Sequence, residues 1–255
     1  MNRYCYIMSV GVVEPGSFLE YQVKTISGKP FGLVGNFVDA FALRLMQRYE
    51  SQPVDVTLEI AAGYLTSPDR TRDFYSRLFR LDGQYTPDFV TIASETMGLW
   101  IEETLEGILL VHCGIPHNSD PAYDVLSIYE EEGVSRLRVI QVKATESELQ
   151  NNCNVALAKF EQLEKGTYDA ELSASLDLLL RQRQAPDGLV ARDLKLNRRY
   201  RVTVVHGQNR DGISIMTTYD KKVRGDVIRR SGMLIRIDWP DLWEQVARRV
   251  YAQLA

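Results

Sequence analysis

Apolar and polar positions along the 255-residue chain recur with two periods, and the switches between them outline its elements. "RYCYIMSVGVV" and "SFLEYQVKTI" read as strands split by the turn signal Pro15-Gly16. In "NFVDAFALRLMQRY" the residues Phe37, Phe41, Leu45 and Tyr49 recur every four positions, which predicts a helix. "VDVTLEIAA" carries Val54, Val56, Leu58 and Ile60 on one face, as a strand does, and "RTRDFYSRLFRL" returns to a helical pattern. Residues 1–87 thus form an N-terminal α/β region without a legible chemical motif.

From residue 88 to 255 the order changes. "DFVTIASETMGLWIEETLEG" predicts a helix closed by Gly107, and "ILLVHC" a short strand. After the loop "GIPHNSDPAY", "DVLSIYEEEG" and "SRLRVIQVKAT" read as two strands joined at Glu132-Gly133. Thr145-x-x-Glu148 matches a capping box and opens a helix with the stripe Leu149, Cys153, Ala156, Leu157, Phe160 and Leu163, ended by Gly166. "ELSASLDLLLRQRQ" predicts another helix, stopped by Pro186-Asp187-Gly188. "RRYRVTVVHGQ" and "SGMLIRID" are strands around a basic stretch. The closing helix "WPDLWEQVARRVYAQL" aligns Leu242, Val246, Val250 and Leu254, with Trp239, Trp243 and Tyr251 as packing aromatics.

A hydrophobic content of 45% with 25% charged residues is ordinary for a globular chain. No apolar run approaches the roughly 20 residues that span a bilayer, and "MNRYCYIMSVGVVEPG" lacks a secretory h-region, so a cytoplasmic protein without membrane partners is expected. Cys5, Cys113 and Cys153 are too scattered for a disulfide framework and read as free thiols. "HCGIPH" lacks the paired ligands of a zinc site.

Charge changes the picture more. The net charge is −4, yet residues 181–236 hold 14 Lys+Arg against 5 Asp+Glu, a net +9 that leaves −13 elsewhere. Such asymmetry fits a polyanion-binding surface, or a face covered by a partner's acidic surface.

"IQVKAT" puts Gln141 and Lys143 on one face of an otherwise apolar strand. Pairing about Gly133 sets residues with a position sum near 265 or 266 opposite each other, which brings Asp124 to about Gln141 or Val142. A carboxylate, an amide carbonyl and an ammonium would then converge. Oxygen ligands of this kind suit Mg²⁺ or Mn²⁺: Asp124, the Gln141 side chain and the Val142 backbone carbonyl could hold the ion. Lys143 would orient water or stabilise charge during phosphodiester hydrolysis. The bland reading is an edge strand whose lysine snorkels to water while Gln141 bonds a neighbouring backbone.

Asp124, an apolar strand, a hairpin and Gln-x-Lys on the next strand resemble the PD-(D/E)XK nuclease superfamily, in its Mrr-like Gln-x-Lys variant. The resemblance covers residues 88–206 and implies a restriction-endonuclease-like α/β core of helix, three-stranded meander, helix and strand. It implies a Mg²⁺-dependent nuclease, DNA favoured, with Asp124, Gln141 and Lys143 in the motif positions. The family often adds a glutamate from the first core helix; Glu95 is the best match, with Glu102 and Glu103 as competitors. Tyr123 rather than Pro precedes Asp124, and Asp120 is a rival acid four residues earlier. Similarity to nuclease subunits of bacterial anti-phage systems, such as HamA of Hachiman, implies a helicase or ATPase partner, or a homo-oligomer. The alternative is a catalytically inactive nuclease-like module that binds nucleic acid or scaffolds a partner. A nucleotide-binding or serine-hydrolase reading has no GxxxxGK[ST], GxGxxG or nucleophile elbow behind it.

Overall fold

Seven strands form one mixed sheet in the order β1-β2-β7-β6-β5-β4-β3. They are β1 (Arg3–Ser9), β2 (Phe18–Ser27), β3 (Ile108–Cys113), β4 (Val125–Glu131), β5 (Val134–Thr145), β6 (Arg199–His206) and β7 (Arg230–Arg236). Six helices accompany them among the described residues: α1 (Phe37–Glu50), α2 (Pro87–Glu103), α3 (Leu149–Glu164), α4 (Asp169–Gln182), α5 (Ala191–Leu196) and α6 (Asp241–Leu254). The structure is a computed structural model that describes residues 3–9, 18–27, 37–50, 75–103, 105, 107–113, 123–182, 188–207, 222–223, 229–237, 239 and 241–254.

The chain is therefore of the mixed α/β class expected from its pattern. β3, β4 and β5 form an antiparallel meander, and β6 then lies parallel to β5. From α2 onward the order is helix, meander, helices and strand. β7 pairs parallel with both β6 and β2, so the strands before residue 87 belong to the same sheet as those after it. Phe37, Phe41 and Leu45 likewise share a core with Met97, Met233, Trp243 and Val246.

Side-chain alternation sorts that sheet into two buried faces. Val205, Met233 and Ile235 pack under α1, α2 and α6, where Trp100 stacks on Phe37 and Phe41 at 5.6 and 5.9 Å. Val139, Tyr200, Val202 and Val204 pack under α3, α4 and α5. β6 is buried along its whole length, as a central strand covered on both faces must be. The predicted stripes are the buried ones: Leu149, Cys153, Ala156, Leu157, Phe160 and Leu163 on α3, and Leu242, Val246, Val250 and Leu254 on α6. Cys153 is a buried free thiol whose pKa burial pushes up to about 12.

Local chemistry fixes the meander. Glu132 and Gly133 have φ of 54° and 74°, the paired left-handed conformation of a two-residue hairpin turn. It sets Glu131 opposite Val134 and carries the register to Val125 opposite Ile140, a position sum of 265. The Thr145 hydroxyl accepts from the Glu148 N–H at 2.8 Å, but α3 starts at Leu149 with Glu148 at its N-cap and no side-chain cap bond there, so Thr145 holds the turn before the helix rather than capping it.

Several expectations change. The helix anticipated over 70–81 is helical only at Tyr75 and Ser76 among the described residues; the chain then reverses, and Phe79 bridges Tyr85. α2 ends at Glu103, so Gly107 does not close it. Instead Gly107, at φ 75°, accepts the Glu130 N–H at 2.8 Å, where a Cβ would lie 2.6 Å from the Glu130 carbonyl oxygen. α5 was not anticipated. The strand expected over 54–62, together with His117 and Asp120, lies outside the described residues.

Candidate functional site

β5 lies between β4 and β6, but the β4 pairing ends at Val125 opposite Ile140, so Gln141 and Lys143 have β6 on one side and, among the described residues, only the Asp124 end of β4 on the other. Lys143 is partly exposed, as a lysine reaching water would be, whereas Gln141 is buried.

The register brings Asp124 opposite Gln141 at the point where β4 begins. The Asp124 N–H donates to the Ile140 carbonyl at 2.9 Å. Its side chain then replaces a strand carbonyl: Oδ2 accepts the Val142 N–H at 2.6 Å. The Lys143 ammonium lies 3.8 Å from the same oxygen. The N–H and C=O of one strand residue point toward the same neighbouring strand, so the Val142 carbonyl also faces the Asp124 side. Asp124 and Lys143 are partly buried, at 13% and 25% side-chain exposure.

Gln141 is 2% exposed, and its Oε1 is a buried acceptor with no hydrogen-bond partner among the described residues. An orphaned buried carbonyl costs free energy comparable to a lost hydrogen bond, roughly 1–3 kcal/mol. The expected bond to a neighbouring backbone is absent for this oxygen. Tyr123 is buried and its hydroxyl pairs with the Ser175 hydroxyl of α4, which anchors the residue before Asp124.

The acids of α2 separate into different roles. Glu102 is completely buried and receives hydrogen bonds from Arg138 of β5 and Arg201 of β6. Burial alone would raise its pKa, but Arg201 and Arg138 together hold it below the usual carboxylate value. Glu103 pairs with Arg44 of α1. Glu95 lies one turn before Gly98, which packs against Val142 and Thr203 so closely that a Cβ would sit 3.0 Å from Val142 Cγ2. Val142 and Ile140 face α2, whereas Gln141 and Lys143 alternate onto the face shared with Val139. Glu95 therefore belongs to the layer opposite the Gln141 and Lys143 side chains. Among the described residues no group of three His, Cys, Asp or Glu side chains gathers at one point, and with glutamine at 141 the Asp124 cradle holds a single carboxylate.

Six of the fourteen cations of the basic segment pair with the chain's own acids among the described residues. Arg201 pairs with Glu102, Arg199 with Glu131 and Lys222 with Glu161, while Arg229 and Arg198 meet Glu164 and Lys195 meets Asp169. The hydrogen bonds of Lys165 and Lys222 pull the Glu161 pKa down to about 2. The +9 segment and the −13 remainder thus neutralise each other at these contacts. Sequence reading missed this lattice; the signal was the arginine pair 199 and 201, spaced like Arg136 and Arg138 on the adjacent strand.

A carboxylate, an amide oxygen and a backbone carbonyl are the ligand types a hard divalent cation takes, and Asp124, Gln141 and Val142 carry them within one stretch of the β4–β5 pair. No protein-family model matches the chain, and no curated protein matches its sequence.

Proposed function

We propose that the chain is a Mg²⁺- or Mn²⁺-dependent nuclease that hydrolyses phosphodiester bonds, DNA favoured, on a restriction-endonuclease-like core of α2, β3–β5, α3 and β6. The observation that supports this reading is the Lys143 ammonium 3.8 Å from the Asp124 carboxylate, with Gln141 between the two backbone bonds of Asp124 and its side-chain oxygen buried without a hydrogen-bond partner. Asp124 and the Gln141 and Val142 carbonyls would hold the ion, whereas Glu95 sits on the opposite layer of the sheet and is not part of this set. The chemistry a divalent ion supplies when bound is neutralisation of phosphoryl charge and a more acidic water. Lys143 keeps its ammonium beside the Asp124 carboxylate, where it orients water and stabilises the anionic transition state. The protein acts in the cytoplasm with a helicase or ATPase in an anti-phage or restriction-type defence system.

Cleavage of plasmid, single-stranded DNA and RNA with Mg²⁺ or Mn²⁺ tests this directly. Asp124→Ala and Lys143→Ala should each lose at least about 100-fold in rate; equal rates in all three proteins would sink the assignment. The single carboxylate of the cradle favours a second reading, an inactive nuclease-like module that binds nucleic acid or scaffolds a partner. That module would bind oligonucleotide without added metal and be indifferent to Lys143→Ala.

A further inference from the structure

Building on the nuclease reading, we propose that Ser175 of α4 is a positioning residue for Asp124. Through the Tyr123 hydroxyl it fixes where the Asp124 carboxylate stands, and so sets how tightly the site takes a divalent ion. Asp124 stands just ahead of Val125, where the β4 pairing with β5 begins. Two of its bonds run sideways to β5: its N–H donates to the Ile140 carbonyl at 2.9 Å, and Oδ2 accepts the Val142 N–H at 2.6 Å. Both lie along the hydrogen-bonding direction of the sheet, so they set the distance to β5 and leave tilt out of the sheet to other contacts.

Tyr123 supplies a contact in that second direction. Its ring is 4% exposed, in the core that also holds Leu172 and Leu176 of α4, on either side of Ser175 in sequence. The Tyr123 hydroxyl donates to the Ser175 hydroxyl across this layer. A tyrosine side chain has few torsions, so holding its far end holds its Cα and the direction in which the next residue leaves. The leucines would grip a phenylalanine ring equally well; the hydroxyl pair adds a fixed reach. Asp124 is thus held from the sheet and, through its neighbour, from the helical layer.

A group that orients a metal ligand from behind acts on ion affinity without touching the ion, by roughly 10- to 100-fold when it is removed. Ser175 acts at one further remove, through a single hydroxyl bond, so its removal should weaken ion binding by about 3- to 10-fold.

One readout needs neither metal nor cleavage. The Val142 N–H donates to Asp124 Oδ2, so its hydrogen exchange reports how steadily the carboxylate is held. Tyr123→Phe and Ser175→Ala each remove the hydroxyl pair and should speed Val142 exchange by about 3- to 10-fold. The double variant should go no further than either single one, because both act through one bond. Ser175→Thr keeps a hydroxyl and should restore the wild-type rate. A merely structural role would instead speed exchange evenly along β4 and β5, at Leu126 and Leu137 as much as at Val142.

The same proteins are titrated with Mn²⁺ by electron paramagnetic resonance, where both single variants should bind about 3- to 10-fold more weakly than wild type and Ser175→Thr equally well. Val142 exchange unchanged in both single variants overturns the positioning role and leaves the nuclease reading standing. Faster Val142 exchange with unchanged Mn²⁺ affinity overturns the link from Ser175 to the ion. A wild type that neither binds Mn²⁺ nor cleaves nucleic acid overturns the nuclease reading and, with it, any role of Ser175 in ion binding.

Discussion

Two places along the β4–β5 hairpin carry charge in opposite ways. Midway along it, where Arg138 stands opposite Ser127, Glu102 of α2 is sealed against the sheet and both of its oxygens are taken, one by Arg138 and one by Arg201. Arg138 also lies over the Tyr129 ring at 3.9 Å, and Arg136 and Arg199 share Glu131 nearby. At the open end, Asp124 accepts from the Val142 N–H and has a lysine at the limit of ion-pair range, while the Gln141 oxygen has no hydrogen-bond partner among the described residues. Both oxygens of Glu102 are engaged, whereas the Gln141 oxygen is not. Saturated buried charge ties elements together, because any loss leaves a bare ion in a low-dielectric interior. Unsaturated polar groups held by a rigid strand are what a ligand can complete.

Breaking the Glu102 cluster should have the largest effect. Glu102→Ala leaves two arginines buried without their counter-charge and should cost about 3–5 kcal/mol in urea unfolding. A loss under about 1 kcal/mol would abolish the contrast between the two places. The same carboxylate gives an acid signature. The folded-state pKa of Glu102 is lowered despite burial, so its stabilising contribution is complete above the ordinary value of 4.5 and is lost as pH falls below it. Glu164 adds to this limb: burial would raise its pKa, but Tyr200 and Arg229 hold it down. Urea midpoints measured from pH 7 to 3 should therefore fall below about pH 4.5, and more gently in Glu102→Gln than in wild type.

Gly107 tests the backbone near the hairpin turn, where it accepts the Glu130 N–H. Alanine there faces a left-handed φ and an oxygen at 2.6 Å that belongs to the β4 backbone, which cannot swing aside as a side chain could. Gly107→Ala should cost about 2 kcal/mol by thermal unfolding and loosen the β3–β4 pairing first. Hydrogen exchange of the Glu130 amide, which donates to Gly107, reads that loosening directly.

That glycine also marks where sequence reading reaches its limit. Periodicity gave α2, α3 and α6 because each has one apolar stripe, and the Glu132-Gly133 turn gave the register that sets Asp124 against Gln141. Gly107 was read as a helix stop because a chain shows its glycines but not the strand that approaches them. The turn after Ser76 was read as helix because its pattern fits one; the Phe79–Tyr85 bridge that overrides it is a tertiary contact. The position of β5 inside the sheet could not be read locally either, since it depends on β6 arriving from more than fifty residues later. The charge lattice was hidden for the same reason: the excess of arginine was visible, but Glu102, Glu131 and Glu164 are distant in sequence from the cations they neutralise.

The smallest effect on stability should come from the open end, and it sharpens the comparison most. In Asp124→Asn the side-chain oxygen can still accept the Val142 N–H, so the entry into β4 keeps its bond. What is lost is the attraction of Lys143 at 3.8 Å, and that ammonium is partly solvated. Partly exposed pairs of this length contribute about 0–1 kcal/mol, so urea and thermal midpoints should shift by less than that. The same substitution removes the Asp124 carboxylate, the acid this reading assigns to the ion, so Mn²⁺ binding in the presence of DNA should fall by at least about tenfold. A protein that keeps its stability and loses its metal separates Asp124 from Glu102 in kind. If Asp124→Asn instead unfolds the chain as readily as Glu102→Ala does, the open end is structural after all, and the orphaned oxygen of Gln141 is a packing defect rather than half of a binding site.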